Sequence, residues 1–436
     1  MRLSAHAEDA NGAARLKNPS RPPILAPFQV RSFRFQWPAD LATSWATEME
    51  VIILGWYVVV ETESVLLLTL FGSLQLLGTL CAPMFGVVGD RIGHRNLLCL
   101  MRATYGLLAV TLMTLALTNS LQPVHVFVIG TLAGLVRSSD LVMRNALIGA
   151  TIPTGQLVGA MSISRTTADS ARIAGALAGA GLVGLLGMGL AYAVVSSLYA
   201  VSLILTLGIA GAGPSAYTVG DMAGLPKRSS PWRDLQEGLA YVWNAPHLLA
   251  AMYLAFLVNL AAYPFSNGLL PYIAKEIYAV DQTGLGYLTA SFAVGALTGS
   301  IALTTRGAGI KPARMMIIFA SLWFAVLLVF VHIEHESGGI VLMACAGLAQ
   351  SLSLVPLSVM LLRSSEPRFR GRVLGVRMLA VYGLPVGLLA TGPLIERIGF
   401  ATTGTLYASF GLVATLAIAL YWRRHIWSLT APANLP

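Results

Sequence analysis

Apolar runs of membrane-spanning length recur along almost the whole chain, broken by short polar turns. A helix needs about 20 apolar residues to cross the hydrocarbon layer. Such runs fall near 39–60, 65–86, 97–118, 122–143, 158–186, 189–211, 247–269, 284–304, 314–332, 339–362, 373–394 and 400–422. The pattern predicts an all-α integral membrane protein with twelve transmembrane helices. The longest internal polar break, 212–246, contains Pro226, Lys227, Arg228 and Pro231 and separates six runs from six. In its second half, 232–243, apolar residues recur at helical spacing, which predicts an amphipathic helix on the membrane surface. The organisation read from this is a tail at 1–37, a bundle at 38–211, a linker at 212–246, a second bundle at 247–422 and a tail at 423–436.

Composition agrees with lipid embedding. Hydrophobic residues make up 56% of the 436 and charged residues 11%, with mean hydropathy +0.73; soluble domains carry about 25% charged residues. A net charge of +9 could suggest nucleic acid, but the cations gather in short loops on one side. With the N-terminus inside, that side collects Arg91, Arg95, Arg144, Arg306, Lys311, Arg363, Arg368, Arg370 and Arg372, among others. The other side has only Lys275 and Arg397, with Glu61, Glu63, Asp281, Glu334, Glu336 and Glu396. This asymmetry predicts that both termini are cytoplasmic and gives no reason to expect a nucleic-acid partner.

Residues 1–34 lack the apolar core of a secretory signal and read as a disordered cytoplasmic tail. Cys81, Cys99 and Cys345 lie in or beside apolar runs, where no disulfide framework or thiolate metal set can form. No G-x-x-x-x-G-K-[ST] phosphate loop occurs. The seven histidines are scattered, and His332-Ile-Glu-His-Glu336 offers too few ligands for a metal. Neither a cofactor nor a metal is expected, and no nucleophile–base pair suggests an enzyme.

Gly86-Val-Val-Gly-Asp-Arg-Ile-Gly-His-Arg95 reads as a tight basic turn between two apolar runs. It resembles the loop between helices 2 and 3 of the major facilitator superfamily, with His94 replacing the usual arginine or lysine. Gly55-Trp-Tyr-Val-Val59, Arg144-Asn-Ala-Leu147 and Arg370-Gly-Arg-Val373 resemble a branch of bacterial exporters related to the enterobactin exporter. The similarity covers most of 38–422. It implies two pseudo-symmetric six-helix bundles around a central site, alternating access, and a bacterial inner-membrane location; a monomer is expected. It also implies that Gly86, Gly89, Asp90, Arg91, Gly93 and Arg95 form a gating loop that steadies the outward-facing state against the eleventh helix. Asp90 is expected beside a helix N-terminus, where a negative charge is favoured. The plainer reading of this loop is a topology signal alone.

Several charged residues fall inside apolar runs. Glu48 and Glu50 lie near the middle of the first, where an acid costs roughly 2.5–3.5 kcal/mol on insertion scales. At about 100° per residue they point to nearly opposite sides, so one can face a central cavity. Burial favours the neutral acid, which makes either a candidate proton carrier; the alternative is a structural pair with a buried arginine. Arg165, Asp169 and Arg172 share one helical face. Arg172 needs Asp169 or a first-span glutamate as partner. Protonation of that glutamate could free it for an anionic substrate group, or the set could be a fixed ion-pair network.

Arg137 and Asp140 sit toward the inner end of the fourth run, read either as proton-coupling or as a structural link to the Asp90 loop. Gly175, Gly179, Gly181 and Gly184 suit close helix packing, and Gly383-Leu-Pro385 and Gly392-Pro393 suit a kink. Gln75, Asn259, Asn267 and Gln350 either line a substrate path or make single interhelical bonds. The expectation is a secondary transporter exporting a small, partly apolar molecule against proton entry. The alternatives are metabolite uptake, a membrane enzyme, or a non-transporting sensor or scaffold.

Overall fold

The computed structural model describes residues 26–153, 156–209, 231–306, 311–366 and 369–424; the side chains of 80–83, 86, 87, 90, 158, 231–235 and 304–306 fall outside that description. The protein is built of helices. The first half contains α1 (Arg31–Thr62), α2 (Val65–Leu74), α3 (Gly78–Ile92), α4 (His94–Leu117), α5 (Pro123–Thr151) and α6 (Leu157–Leu207). The linker helix is α7 (Pro231–Trp243). The second half contains α8 (Pro246–Ala261), α9 (Leu270–Tyr272), α10 (Gln282–Arg306), α11 (Pro312–Phe330), α12 (Glu336–Ser364), α13 (Arg370–Leu379), α14 (Gly383–Ile398) and α15 (Phe400–Tyr421).

Among the described residues nine helices are long and apolar enough to cross a membrane. α6 counts once among them but is two arms. Gly187 has φ +75° and ψ 171°, a conformation open to glycine but strained for other residues, and the chain turns back there. The packing shows it. Along 157–186, Thr167 meets Trp37 and Gly175 lies against Trp45 and Glu48, so position rises with α1. Along 188–207, Tyr199 meets Thr47 and Ser202 meets Thr43, so position falls. Asp40, Glu48 and Glu50 interrupt the apolar stretch of α1. α2 is a shorter apolar helix that stops before Gln75.

Helix ends differ from the expected runs in places that bear on function. α1 begins at Arg31, so residues 31–38 are folded, with Phe33 buried, where a disordered tail was expected to reach Arg34. The 86–95 turn is shorter than expected: α3 runs to Ile92 and only Gly93, at φ +89°, separates it from α4. Asp90 therefore lies in the last turn of α3, rather than beside the N-terminus of α4. Beyond α8 the chain continues through π-helical turns at Pro264–Gly268 and Ile273–Ile277. Pro264 and Pro271 have no N–H to donate, which favours such local unwinding. A 3-10 turn, Ala380–Tyr382, separates α13 from α14 just before Pro385.

Each half buries its own core. One cluster centres on Met49, Ile53, Leu98, Tyr105, Tyr192 and Tyr199, the other on Phe265, Phe292, Trp323, Phe324 and Phe330. Large apolar side chains such as Leu107, Leu185, Ile204, Leu322, Val341 and Val413 face outward. Exposed apolar surface on this scale marks contact with a non-aqueous medium; helices satisfy their own backbone groups, as lipid requires.

Candidate functional site

The two halves meet through a symmetric exchange of helices. α2 of the first half packs on α14 of the second, and α10 of the second packs on the first arm of α6. The contact is made toward the face bearing Glu63, Lys275 and Arg397, the far face. A Cβ on Gly286 of α10 would stand 2.7 Å from Ala180 Cβ of α6. Ser73 Oγ donates to Pro385 O at 3.3 Å, and Lys275 Nζ donates to Val59 O at 3.2 Å and lies 3.9 Å from Glu63 Oε1.

Toward the opposite, basic face the same helices part. Between them lies a cavity of about 510 Å³. The first half contributes Arg165, Asp169 and Arg172 from α6; the second contributes Tyr263, Gln350 and Arg377, with an apolar wall from α10 and α12. Arg165 Nε is 3.5 Å from Asp169 Oδ2, and Arg172 Nε is 3.9 Å from Glu48 Oε1. Glu48 and Arg172 are 29% and 43% exposed at the side chain. The expected single helical face for Arg165, Asp169 and Arg172 thus lines the cavity, and Glu48 partners Arg172.

Glu50 points away from this pair, as the helical angle required. It is 5% exposed and accepts a hydrogen bond from Tyr199 Oη at 3.0 Å inside the first half.

Other candidates are placed differently. Arg137 does not pair with Asp140; its Nη2 donates to Gln75 Oε1 at 2.9 Å, tying α5 to the end of α2. Asp140 pairs with Arg144 one turn along the same helix. Arg144, counted above as an inner-loop cation, is buried at 8% exposure. Gln350 Nε2 donates to Tyr263 Oη at 2.8 Å in the cavity wall. Asn259 Nδ2 donates to Ala255 O of its own helix at 2.8 Å, and Asn259 is not among the residues lining the cavity. Gly175 and Gly179 pack on Glu48 and Met49 of α1, while Gly181 has open space. Arg95 donates from Nη2 to Leu207 O at 2.5 Å and from Nε to Thr206 O at 3.4 Å, holding the end of α6 in its own half. Arg91 is exposed. The side chain of Asp90 and the surroundings of Gly86 lie outside the described residues.

Two features escaped the sequence reading. One is a buried network in the first half: Asp40 pairs with Arg102 and lies 3.7 Å from Arg144 Nε. Gln36 Nε2 donates to Arg144 O at 3.1 Å, Arg144 Nη1 donates to Ser44 Oγ at 2.8 Å, and Arg102 donates to Thr206 Oγ1. The signal available was an arginine inside the apolar run 97–118, which demands an acid. The other is Arg377, hidden by the adjacent basic stretch Arg370–Arg372.

A family model described as Major Facilitator Superfamily matches residues 41–385. No curated protein sequence matches the chain. Among solved structures, an auto-inhibited POT family peptide transporter is 14% identical with a TM-score of 0.70, over 93% of this chain and 99% of that one. The nucleoside transporter NupG is 16% identical with a TM-score of 0.64, over 90% and 99%. A D-xylose–proton symporter is 13% identical with a TM-score of 0.66, over 88% and 96%. At such identities the likeness is one of fold.

Proposed function

The chain belongs to the major facilitator superfamily, and we propose that it is a secondary active transporter that exports a small, partly apolar molecule by proton-coupled antiport. The carrying observation is the cavity between the halves, which lies on the basic-face side of the Gly286–Ala180 and Lys275 contacts and has the Glu48–Arg172 pair beside it. The positive-inside rule makes the basic face cytoplasmic, with both termini there and twelve helical crossings of a bacterial inner membrane. In this arrangement the cavity loads from the cytoplasm.

A proton on Glu48 would weaken its hold on Arg172 and free the guanidinium for substrate. Loss of that proton would restore the pair. A cargo held by Arg172 while Glu48 is protonated shares the cavity with the proton and moves in the same direction; antiport requires that a proton on Glu48 and the cargo occupy the cavity in turn. Glu50, sealed behind Tyr199, supports the first half's packing. In the alternate state the contacts of Gly286, Ser73 and Lys275 part, and the Asp90 turn engages α13 and α14 on the cytoplasmic side. Gly86, Gly89, Asp90, Arg91, Gly93 and Arg95 take this gating role by resemblance; the Arg95–Leu207 bond lies within the first half. The exporter direction rests on the motifs at 55–59, 144–147 and 370–373. Uptake is the second reading, favoured by the symporter among the structural relatives.

The test is substrate efflux from proteoliposomes holding the purified protein, screened with and without an imposed pH gradient. Gradient-dependent efflux supports export by antiport. Accumulation driven by an inward proton gradient supports uptake. No gradient-sensitive flux of any compound would count against the transport mechanism.

A further inference from the structure

The cavity is not charge-balanced. Arg165 faces Asp169 at 3.5 Å and Arg172 faces Glu48 at 3.9 Å. Arg377 is the third guanidinium on the cavity wall and has no hydrogen-bond or ion-pair partner among the described residues. It stands in the last turn of α13, just before the 3-10 turn at Ala380–Tyr382, and is partly buried. Nearby, Tyr263 Oη accepts from Gln350, so its own O–H has no acceptor among the described residues. Leu354, Val355 and Leu362 supply apolar wall.

When the halves close over this space, an unmatched guanidinium loses water without gaining a counter-charge. That is costly at membrane depth, and a neutral cargo would leave the cost standing. A cargo with one anionic group removes it, through charge-assisted bonds from the guanidinium fork and one from the phenol.

We propose that Arg377, with Tyr263, is the anchor for a single anionic group on the cargo, and that the substrate class is therefore an amphipathic organic monoanion such as a carboxylate with an apolar body. This rests on the transport reading above. With Glu48 ionised, each of the other guanidinium groups already faces a carboxylate, which makes a dianion a poorer match in that state. The volume, about 510 Å³, lies within the usual range for small-molecule sites, about 300–1,000 Å³.

The experiment uses the full-length purified protein and matched trios of probes: aliphatic and aromatic carboxylates, their neutral amides and the corresponding ammonium compounds, from four-carbon chains to naphthyl bodies. Binding is measured by isothermal titration at constant chloride. At least one carboxylate should bind more than about tenfold tighter than its amide, as expected for a bond to a charged partner. Arg377→Gln should bring that ratio close to one, Arg377→Lys should keep most of it, and Tyr263→Phe should lower it partly. Melting curves and gel filtration of each variant exclude misfolding as the cause.

Equal or tighter binding of amides or ammonium compounds, no carboxylate binding at all, or an unchanged ratio in a folded Arg377→Gln protein would each overturn the assignment. Flux in proteoliposomes separates this from the transport reading. Saturable transport of neutral or cationic probes without anion preference overturns the assignment and keeps the transporter. Carboxylate binding lost in Arg377→Gln, with no flux of any probe, does the reverse.

Discussion

Arg172 of α6 stands 3.9 Å from Glu48 of α1 at the cavity's edge, while Glu50, two residues along, is turned into the first half under Tyr199. The two acids therefore differ in access. Glu50→Gln and Tyr199→Phe are expected to lower stability by about 1–3 kcal/mol through an unmet buried polar group, and to leave the proton dependence of transport in place. Unfolding in detergent reads the first effect, and flux at two pH gradients the second.

The Asp40–Arg102–Arg144–Asp140 network is buried throughout. Removing one partner leaves an uncompensated charge, a loss of about 3–5 kcal/mol. Arg102→Ala should therefore melt far below wild type. Asp40→Asn combined with Arg102→Met should recover part of that loss, because the orphaned charge goes with its partner. A double-mutant cycle on melting of the purified protein measures the coupling; simple additivity would show that the pair does not act as a unit.

Closure at the far face can be trapped. A Cβ on Gly184 of α6 would lie 3.8 Å from Thr283 Oγ1 of α10, across the two halves, within reach of disulfide geometry. In a background with Cys81, Cys99 and Cys345 replaced by serine, Gly184→Cys with Thr283→Cys should cross-link on oxidation. Transport should fall more than about tenfold and return with reductant. Full transport by the cross-linked protein would mean that the far face need not open.

The Asp90 turn is assigned to gating, so Asp90→Asn should slow turnover several-fold with equilibrium substrate binding little changed. Binding by titration and flux in liposomes, measured on the same preparation, distinguish this from a loss of folding.

Much of this architecture was legible in the apolar pattern. The reversal at Gly187 falls between the runs expected at 158–186 and 189–211, and the Arg165, Asp169, Arg172 face needed only the helical period. Which acid meets which cation was less accessible. Arg137 and Asp140 are three apart on one helix, yet Arg137 reaches Gln75 and Asp140 takes Arg144, because the depth and tilt of the neighbouring helices decide between them. Asp40 and Arg102 are 62 positions apart and meet only because α1 and α4 both pack on α6. Arg144 was read as an inner-loop cation because its run was expected to end at 143, but α5 continues to Thr151. Arg377 lay among arginines that the charge pattern explained as topology. Its place on the cavity wall depends on how α13 gives way to α14 at the 3-10 turn before Pro385.

Proton-linked flux in Glu48→Gln tests the central claim most directly. Proteoliposomes carrying wild type, Glu48→Gln, Glu50→Gln and the double variant are given an imposed pH gradient, and flux of a transported probe is compared with its exchange at equal pH. The account predicts that Glu48→Gln loses gradient-driven flux while exchange persists, and that Glu50→Gln retains both. Gradient-driven flux unchanged in both single variants and in the double would contradict it.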